Sequence, residues 1–172
     1  MLPSVTQAPT RGWTLTETII VVVIAATLLA IGLPSFFSYL ARYRVNDGLA
    51  RVRAALQTAQ REAMRRGQSC TVSLPSGGNT VSGACLRGAD STVGGVPTMI
   101  LPGSVILTHN LSGGATNTVA FNFRGRNVSS GTIIISASDN STAWQRCLVL
   151  NPGVGLMRSG TWSGSTCTTT DQ

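Results

Sequence analysis

Gly12-Trp13-Thr14-Leu15-Thr16-Glu17 directly precedes an apolar run that lasts to Leu33, and this stretch decides how the chain is organised. A helix over this run, rising about 1.5 Å per residue, covers roughly the 30 Å of a bilayer's hydrocarbon. Inserting an acidic side chain at the centre of such a span into the membrane costs about 2.5 to 3.5 kcal/mol, and less near an end of the span. The stretch therefore predicts a membrane-spanning helix in which Glu17 has a functional role.

Polar residues precede the apolar run, whereas a secretory signal peptide carries its cleavage site after the apolar stretch. Cleavage after Gly12 would keep the helix and place a new amino terminus on Trp13, about one turn from Glu17. An α-amine has a pKa of about 7.7 to 8.0 and is largely cationic at neutral pH. If two copies stack with an axial offset, the amine of one meets Glu17 of its neighbour, so the helix is predicted to be an assembly device.

The motif resembles the class III signal of type IV pilins and type II secretion pseudopilins, Gly-Phe-Thr-Leu-x-Glu, with Trp13 and Thr16 as departures. The resemblance implies that a prepilin peptidase cuts between Gly12 and Trp13 and methylates the new amine, and that Glu17 guides docking. Pro34 matches a helix-loosening proline of many pilins. An ordinary signal anchor is the alternative interpretation.

The predicted organisation has four parts: a leader peptide over 1–12, a transmembrane and assembly helix over 13–34, an amphipathic helix over 35–67 and a β-rich domain over 68–172. The implied partners are other major and minor pilins or pseudopilins, the prepilin peptidase, an inner-membrane assembly platform and the lipid bilayer. The implied location is the bacterial inner membrane, with a single span and a periplasmic C-terminal domain, and later the fibre.

Along the second part of the helix, apolar residues recur at spacings of three and four and predict one buried face: Val45, Leu49, Val52, Leu56, Ala59 and Ala63. The thirteen basic residues are all arginine, against six acids. Such a balance favours nucleic acid or acidic membrane surfaces. The helical arginines are interpreted as a solvated face, with a dedicated nucleic-acid role as the alternative.

Beyond Gly67 the composition shifts to Gly, Ser, Thr, Val and Asn, and short β-prone runs separated by turn residues replace the helical period. The predicted strands are 70–74, 80–86, 98–101, 105–109, 118–123, 132–136, 143–150 and 154–158. They predict an antiparallel sandwich or two small sheets. The fold class is therefore α+β: a long N-terminal α-helix packed on an antiparallel β-sheet or β-sandwich domain.

The stretches 119–126, 131–135 and 146–153 resemble the C-terminal domain of GspH/FimT-type minor pilins and pseudopilins. A DNA-binding branch of that family ends its last hairpin with Gly-Arg-x-Arg, and here Gly155-Leu156-Met157-Arg158 lacks the first arginine. Arg124, Arg126 and Arg158 remain candidates for a DNA-contacting patch, and exposed solubilising charges are the alternative.

Cys70, Cys85, Cys147 and Cys167 lie in the β-rich part and allow three pairings. The sequence-local choice joins Cys70 to Cys85 and Cys147 to Cys167. A zinc site is the rival interpretation, although the sequence has no Cys-x-x-Cys pair and only His109 to add.

No catalytic motif, metal site or cofactor site is predicted, since the chain has one histidine and few acids. His109 is interpreted as structural or exposed, and Trp144 as core. The predicted function is that of a structural minor pilin or pseudopilin, in an initiating or tip complex of a type IV pilus or a type II secretion pseudopilus. The alternative is a fibre-carried DNA-binding or adhesive subunit.

Overall fold

One helix, α1, spans Leu15–Arg66 in the computed structural model, which describes residues 12–113, 117–138, 144–153 and 155–169. The helix ends at Arg66, one residue before the predicted end of the amphipathic helix at residue 67. Gly67 adopts a φ of 64°, and the N–H of Gln68 donates to the carbonyl of Ala63 at 3.3 Å. This is a Schellman cap, in which a left-handed glycine satisfies carbonyls of the last turn. The predicted leader, apart from Gly12, lies outside the described residues.

The chain divides into a first unit that ends at Tyr39 and a second that begins at Leu40. In the first unit α1 continues through Pro34 without a break in its helical assignment. The side chains from Trp13 to Tyr39 are exposed throughout this unit. They contribute nothing to the core, which lies entirely in the second unit.

Within the second unit, α1 buries the predicted face: all six residues of the stripe from Val45 to Ala63 are buried. Gly48 lies on the same face and allows a close approach of helix and sheet. A Cβ built on Gly48 would lie 3.1 Å from Cγ1 of Val105 and 3.4 Å from Cγ2 of Ile135. Gly48 therefore acts in packing and does not interrupt the helix.

Within the described residues, ten strands form two five-stranded sheets, and each pair of neighbouring strands is antiparallel. The first sheet has the order β3-β4-β2-β1-β6 and the second has the order β10-β9-β8-β7-β5. The strands are β1 Cys70–Ser73, β2 Thr80–Ser82, β3 Ser91–Val93, β4 Val96–Ile100, β5 Val105–His109, β6 Thr118–Phe121, β7 Gly131–Ala137, β8 Arg146–Leu150, β9 Met157–Trp162 and β10 Cys167–Thr169. The α+β prediction is confirmed.

The sequence did not predict β3 and β10, and it predicted β9 with the wrong bounds. The β3–β4 hairpin turns at Gly94 and Gly95, which have φ values of 59° and 80°. Two positive-φ residues match a two-residue hairpin, so Gly-Gly was a strand-pairing signal as well as a turn signal. Strand β9 begins and ends later than the predicted 154–158, because Gly155 has a φ of 70°. Ala143 and Val154, the predicted starts of two strands, lie outside the described residues.

Each sheet contains at least one cysteine of one disulfide, and the two disulfides have the sequence-local pairing that was predicted. Cys70 of β1 bonds to Cys85, which follows β2, and Cys147 of β8 bonds to Cys167 of β10. The second bond joins two strands that both pair with β9, and so crosses that strand. Disulfides of this loop length stabilise by about 3 kcal/mol in the chain-entropy model. No thiolate remains for the zinc site considered from the sequence, because the chain has four cysteines and all are bonded.

Candidate functional site

The start of α1 has a side-chain cap. Oγ1 of Thr14 accepts a hydrogen bond from the backbone N–H of Glu17 at 3.3 Å, and Glu17 is the acid of the first turn. Thr-x-x-Glu is the spacing of a capping box, and a carboxylate in the first turn is stabilised by the positive end of the helix dipole. Glu17 therefore has a local role in the helix in addition to its predicted role in assembly.

Every side chain of the apolar part of α1 is exposed, and the exposed fraction reaches 76 % at Leu15 and Ile31. After Glu17 the next charged residue in the sequence is Arg42. Among the described residues, α1 is the one helix that is long and apolar enough to cross a membrane. An apolar surface of this length requires lipid or other helices around it.

Two glycine loops meet against the far end of α1. The side-chain amide of Gln60 donates to the carbonyl of Gly125 at 2.8 Å and to that of Gly155 at 3.2 Å. A Cβ on Gly155 would collide with the carbonyl oxygen of Gly125, so the two backbones are in direct contact. The structure therefore brings the loop that carries Arg124 and Arg126 beside the loop that leads into β9.

Arg124 and Arg126 project from the first of these loops, and Arg158 lies on β9, the strand that follows the second. Oδ1 of Asn122 accepts hydrogen bonds from the backbone N–H groups of Arg124 and Arg126, at 3.0 and 2.9 Å, which fixes the turn between them. Arg124 lies over the exposed ring of Phe123, with Cζ 5.2 Å from the ring centroid. Arg158 is exposed on β9, where it pairs with Val149. We name Arg124, Arg126 and Arg158 the basic loop pair.

A cluster of one carboxylate and three arginines, which the sequence did not single out, closes the C-terminal end of α1. Oε1 of buried Glu62 accepts from Nε of Arg66 at 2.6 Å and from Nη2 of Arg65 at 3.0 Å. Arg87 approaches the other oxygen, with Nε 3.3 Å from Oε2. These bonds, first that of Arg66 and then that of Arg65, lower the pKa of Glu62 from 4.5 to about 2. The Glu62-x-x-Arg65-Arg66 spacing was the available signal.

The lowered pKa of Glu62 predicts a pH-dependent stability. A carboxylate whose pKa falls on folding stabilises the native state above its unfolded pKa, and that contribution is lost as pH falls toward the folded value. We therefore expect the free energy of unfolding to decrease as the pH is lowered from 4.5 to about 2. Urea unfolding of the detergent-solubilised chain, followed by circular dichroism, measures it. The Glu62→Gln variant should show a smaller decrease over that interval, and an identical decrease would contradict the assignment.

The helical arginines are all exposed, as the solvated-face interpretation predicts, and two of them also make hydrogen bonds outside the helix. Nε of Arg51 donates to Asp47 at 3.0 Å, and its Nη1 donates to the carbonyl of Ile100 at 3.2 Å. Nη1 of Arg44 donates to Oγ of Ser104 at 3.2 Å. These residues tie the helix to the first sheet and the loop before β5, which neither the solvated-face nor the nucleic-acid interpretation anticipated.

His109 has a structural role, because its Nε2 donates to the carbonyl of Leu74 at 2.8 Å. Trp144 is half-buried and packs against the core, as expected. In the part of the chain that the structure describes, no group of three His, Cys, Asp or Glu residues could hold a metal ion.

The described chain thus combines a long helix with an apolar N-terminal part and a domain of two antiparallel sheets. Residues 49–154 match the family described as type II transport protein GspH. The chain is also similar to the minor pseudopilin EpsH from the type 2 secretion system of Vibrio cholerae, at 15% identity and a TM-score of 0.49, covering 70% of this chain and 96% of that chain. No curated protein matches the sequence.

The chain belongs to the GspH family of type II transport proteins. The resemblance drawn from the sequence is thereby confirmed. Membership supports a structural pseudopilin in type II secretion, and assembly with other pseudopilins follows from it. Together with one apolar N-terminal helix, it fits a single-pass inner-membrane protein.

Proposed function

We propose that the protein is a minor pseudopilin that a prepilin peptidase cleaves between Gly12 and Trp13 and that then enters a type II secretion pseudopilus as an initiating or tip subunit. The observation that carries the proposal is the exposed apolar helix that begins at a capped turn with Glu17 as its acid. The family match adds support for type II secretion over a type IV pilus. The assembly platform and the other pseudopilins are the proposed partners.

The proposed assembly step joins two copies of this helix end. Before extraction, the apolar part of α1 lies in the inner membrane. During assembly the methylated amine of Trp13 on one subunit pairs with the Glu17 carboxylate of a neighbour. In a low-dielectric bundle an unpaired charge is strongly unfavourable, so only the axial offset that pairs both groups is stable. The β-rich unit is carried outward, in the periplasm.

Intact-mass spectrometry of the protein extracted from membranes tests the processing step. We expect a chain that begins at Trp13, with the mass of one added methyl group. The matched control is a strain without the peptidase, in which the leader through Gly12 should remain. A chain that begins at Met1 in the normal strain, or one cut after Leu33, would contradict the proposal.

DNA binding is a second candidate function, favoured because the loop of Arg124 and Arg126 contacts the loop that leads into β9, the strand that carries Arg158. Arg124 and Arg126 are exposed and lie in a turn that Asn122 holds. A fixed turn with two guanidinium groups suits contacts to successive phosphates of a duplex.

For that function we expect duplex affinity to fall steeply with salt, by a slope of about 0.9 per neutralised phosphate on a log–log plot. Fluorescence anisotropy of a labelled duplex with the detergent-solubilised chain measures the slope. The Arg124→Gln variant should lower its magnitude by about one. Arg61→Gln, which removes an exposed arginine of α1, is the control. Negligible binding at low salt would eliminate the DNA role.

A further inference from the structure

Three arginines converge on the carboxylate of Glu62 at the C-terminal end of α1. They are Arg65, Arg66 and Arg87, which we name the arginine triad. Each member has a nitrogen atom no more than 3.3 Å from an oxygen of Glu62, so the three guanidinium groups lie close together. Neither the proposed fibre assembly through Glu17 nor the DNA alternative uses these side chains.

Rigid parts of the fold hold the triad in place. Two of its members belong to the last turn of α1, which ends in the Schellman cap. Arg87 directly follows Leu86, which is buried in the core, and lies two residues after Cys85, whose disulfide joins this loop to β1. A ligand would meet donors that are already positioned, which reduces the ordering cost of binding.

One carboxylate does not neutralise three guanidinium groups. Glu62 has a pKa of about 2 and is ionised at neutral pH, so one negative and three positive charges leave the cluster with a net charge of +2. Asp90 is the acid that follows Arg87 most closely in the sequence. Its Oδ2 accepts from the backbone N–H of Ile100 at 3.0 Å and lies 3.8 Å from Nη1 of Arg51. Asp90 therefore pairs outside the cluster, and a bound anion would neutralise the excess charge.

The triad is open on the side away from Glu62. Its three side chains are between 45 % and 61 % exposed, whereas the side chain of Glu62 is 6 % exposed. Glu62 approaches one nitrogen of each member: Nη2 of Arg65, Nε of Arg66 and Nε of Arg87. A guanidinium group has five N–H donors, so each member keeps further donors that face solvent. An anion from solution can reach all three members without displacing Glu62.

The charge and the number of donor groups select a phosphate dianion. A phosphomonoester carries a charge of about −1.5 to −2 at pH 7 and has three strong acceptor oxygens, which match a charge of +2 and three guanidinium groups. A carboxylate or a phosphodiester of a nucleic-acid duplex carries only one negative charge. The negative end of the helix dipole lies here and opposes any anion, so binding depends on the arginines themselves.

We propose that the arginine triad binds a phosphate dianion, either in solution or as the phosphomonoester headgroup of a lipid. The phosphate oxygens accept from the outer N–H groups of the triad, and Glu62 holds the three side chains from the buried side. This site does not depend on cleavage after Gly12 or on fibre assembly. Its test on the isolated chain is therefore separate from the tests of the proposed function.

The site is tested on the detergent-solubilised full chain by NMR of Cζ of Arg87, a resonance assigned with Arg87→Lys. The probes are methyl phosphate, a dianion, and the matched monoanion dimethyl phosphate, at constant ionic strength. We expect a saturable shift with methyl phosphate, half-complete at about 1 mM or below. Dimethyl phosphate should bind at least about tenfold more weakly, because it has a smaller charge and fewer free acceptor oxygens.

Two variants with the same change of charge locate the site. Arg65→Gln should weaken methyl phosphate binding about tenfold, because it removes one charge-assisted donor group and leaves the other two members on Glu62. Arg53→Gln is the matched control, since Arg53 is an exposed arginine of α1 outside the triad. It should change the affinity by less than about twofold.

Three results would overturn the phosphate proposal: no saturable shift, equal affinities for the two probes, or equal losses in Arg65→Gln and Arg53→Gln. Displacement of methyl phosphate by duplex DNA, at a lower concentration of phosphate groups than that of the probe, would also overturn it. That result would assign the triad to a nucleic-acid surface.

The source of the phosphate is distinguished with the full chain in nanodiscs of phosphatidylcholine, with or without phosphatidic acid. A shift of the Arg87 resonance with phosphatidic acid and no soluble phosphate would support a lipid headgroup as the ligand. A shift that requires added methyl phosphate would support a soluble phosphate. The absence of a shift under both conditions would contradict the proposal in a membrane as well.

Discussion

Replacing Glu17 with alanine is expected to lower incorporation of the protein into the pseudopilus about a hundredfold or more, because breaking one side of a buried ion pair destabilises by about 3 to 5 kcal/mol. The uncompensated group would be the Trp13 amine of the adjacent subunit. The β-rich unit should remain folded, since its core contains no residue of the first unit. Quantitative immunoblotting of sheared fibres against the membrane fraction measures incorporation.

Two variants separate the charge of Glu17 from its place in the capping box. Glu17→Gln keeps a residue that suits the third helical position of a capping box but removes the charge. Thr14→Ala keeps the charge but removes the hydroxyl that accepts from the backbone N–H of Glu17, at about 1 kcal/mol. We expect Glu17→Gln to be as defective as Glu17→Ala and Thr14→Ala to be only mildly impaired. The reverse order would mean that Glu17 acts through the helix start.

Gly155→Ala is expected to lower the free energy of unfolding by about 2 to 5 kcal/mol. Left-handed backbone adds about 1 to 2 kcal/mol of strain for a residue with a Cβ, and the forced separation of two packed segments adds about 1 to 3 kcal/mol. The new methyl group would meet the carbonyl of Gly125 and the amide nitrogen of Gln60, so both hydrogen bonds of Gln60 would be displaced. Urea unfolding of the detergent-solubilised chain is the measurement.

Gly153 offers the matched control for Gly155. Its φ is 86°, close to the 70° of Gly155, yet a Cβ on Gly153 meets nothing within 4 Å. Gly153→Ala should therefore show only the backbone strain, about 1 to 2 kcal/mol. Equal losses for the two variants would mean that the contact between the Gly125 and Gly155 loops adds nothing to stability. If DNA binds the basic loop pair, Gly155→Ala should also weaken that binding more than Gly153→Ala does.

The sequence predicted those parts of the fold that depend on local periodicity. The stripe from Val45 to Ala63 repeats every three or four residues, so its burial follows from helix geometry alone. The Arg65-Arg66-Gly67 ending likewise carries its own cap. Strand β10 carries no such signal, because its Thr-rich sequence is held by pairing with β9 and by a disulfide.

Contacts between distant segments explain the misses at the candidate sites. Gln60 joins Gly125 to Gly155, and Arg87 reaches Glu62 from a loop, and neither contact has a short-range pattern. The packing role of Gly48 also lacks a local signal, since it depends on Val105, a residue of β5. Processing at Gly12 and docking through Glu17 stay predictions, since they concern a cleaved chain and a second copy.

The disulfide that crosses β9 also governs what a protease can release. The turn between β9 and β10 is closed by the hydrogen bonds of Ser163 and Thr166, and Cys167 follows it directly. A single cut in that turn would leave the carboxyl-terminal piece attached through Cys147. The nicked protein would therefore migrate as one species until it is reduced, and damage at this exposed corner would not shed the final strand from a fibre.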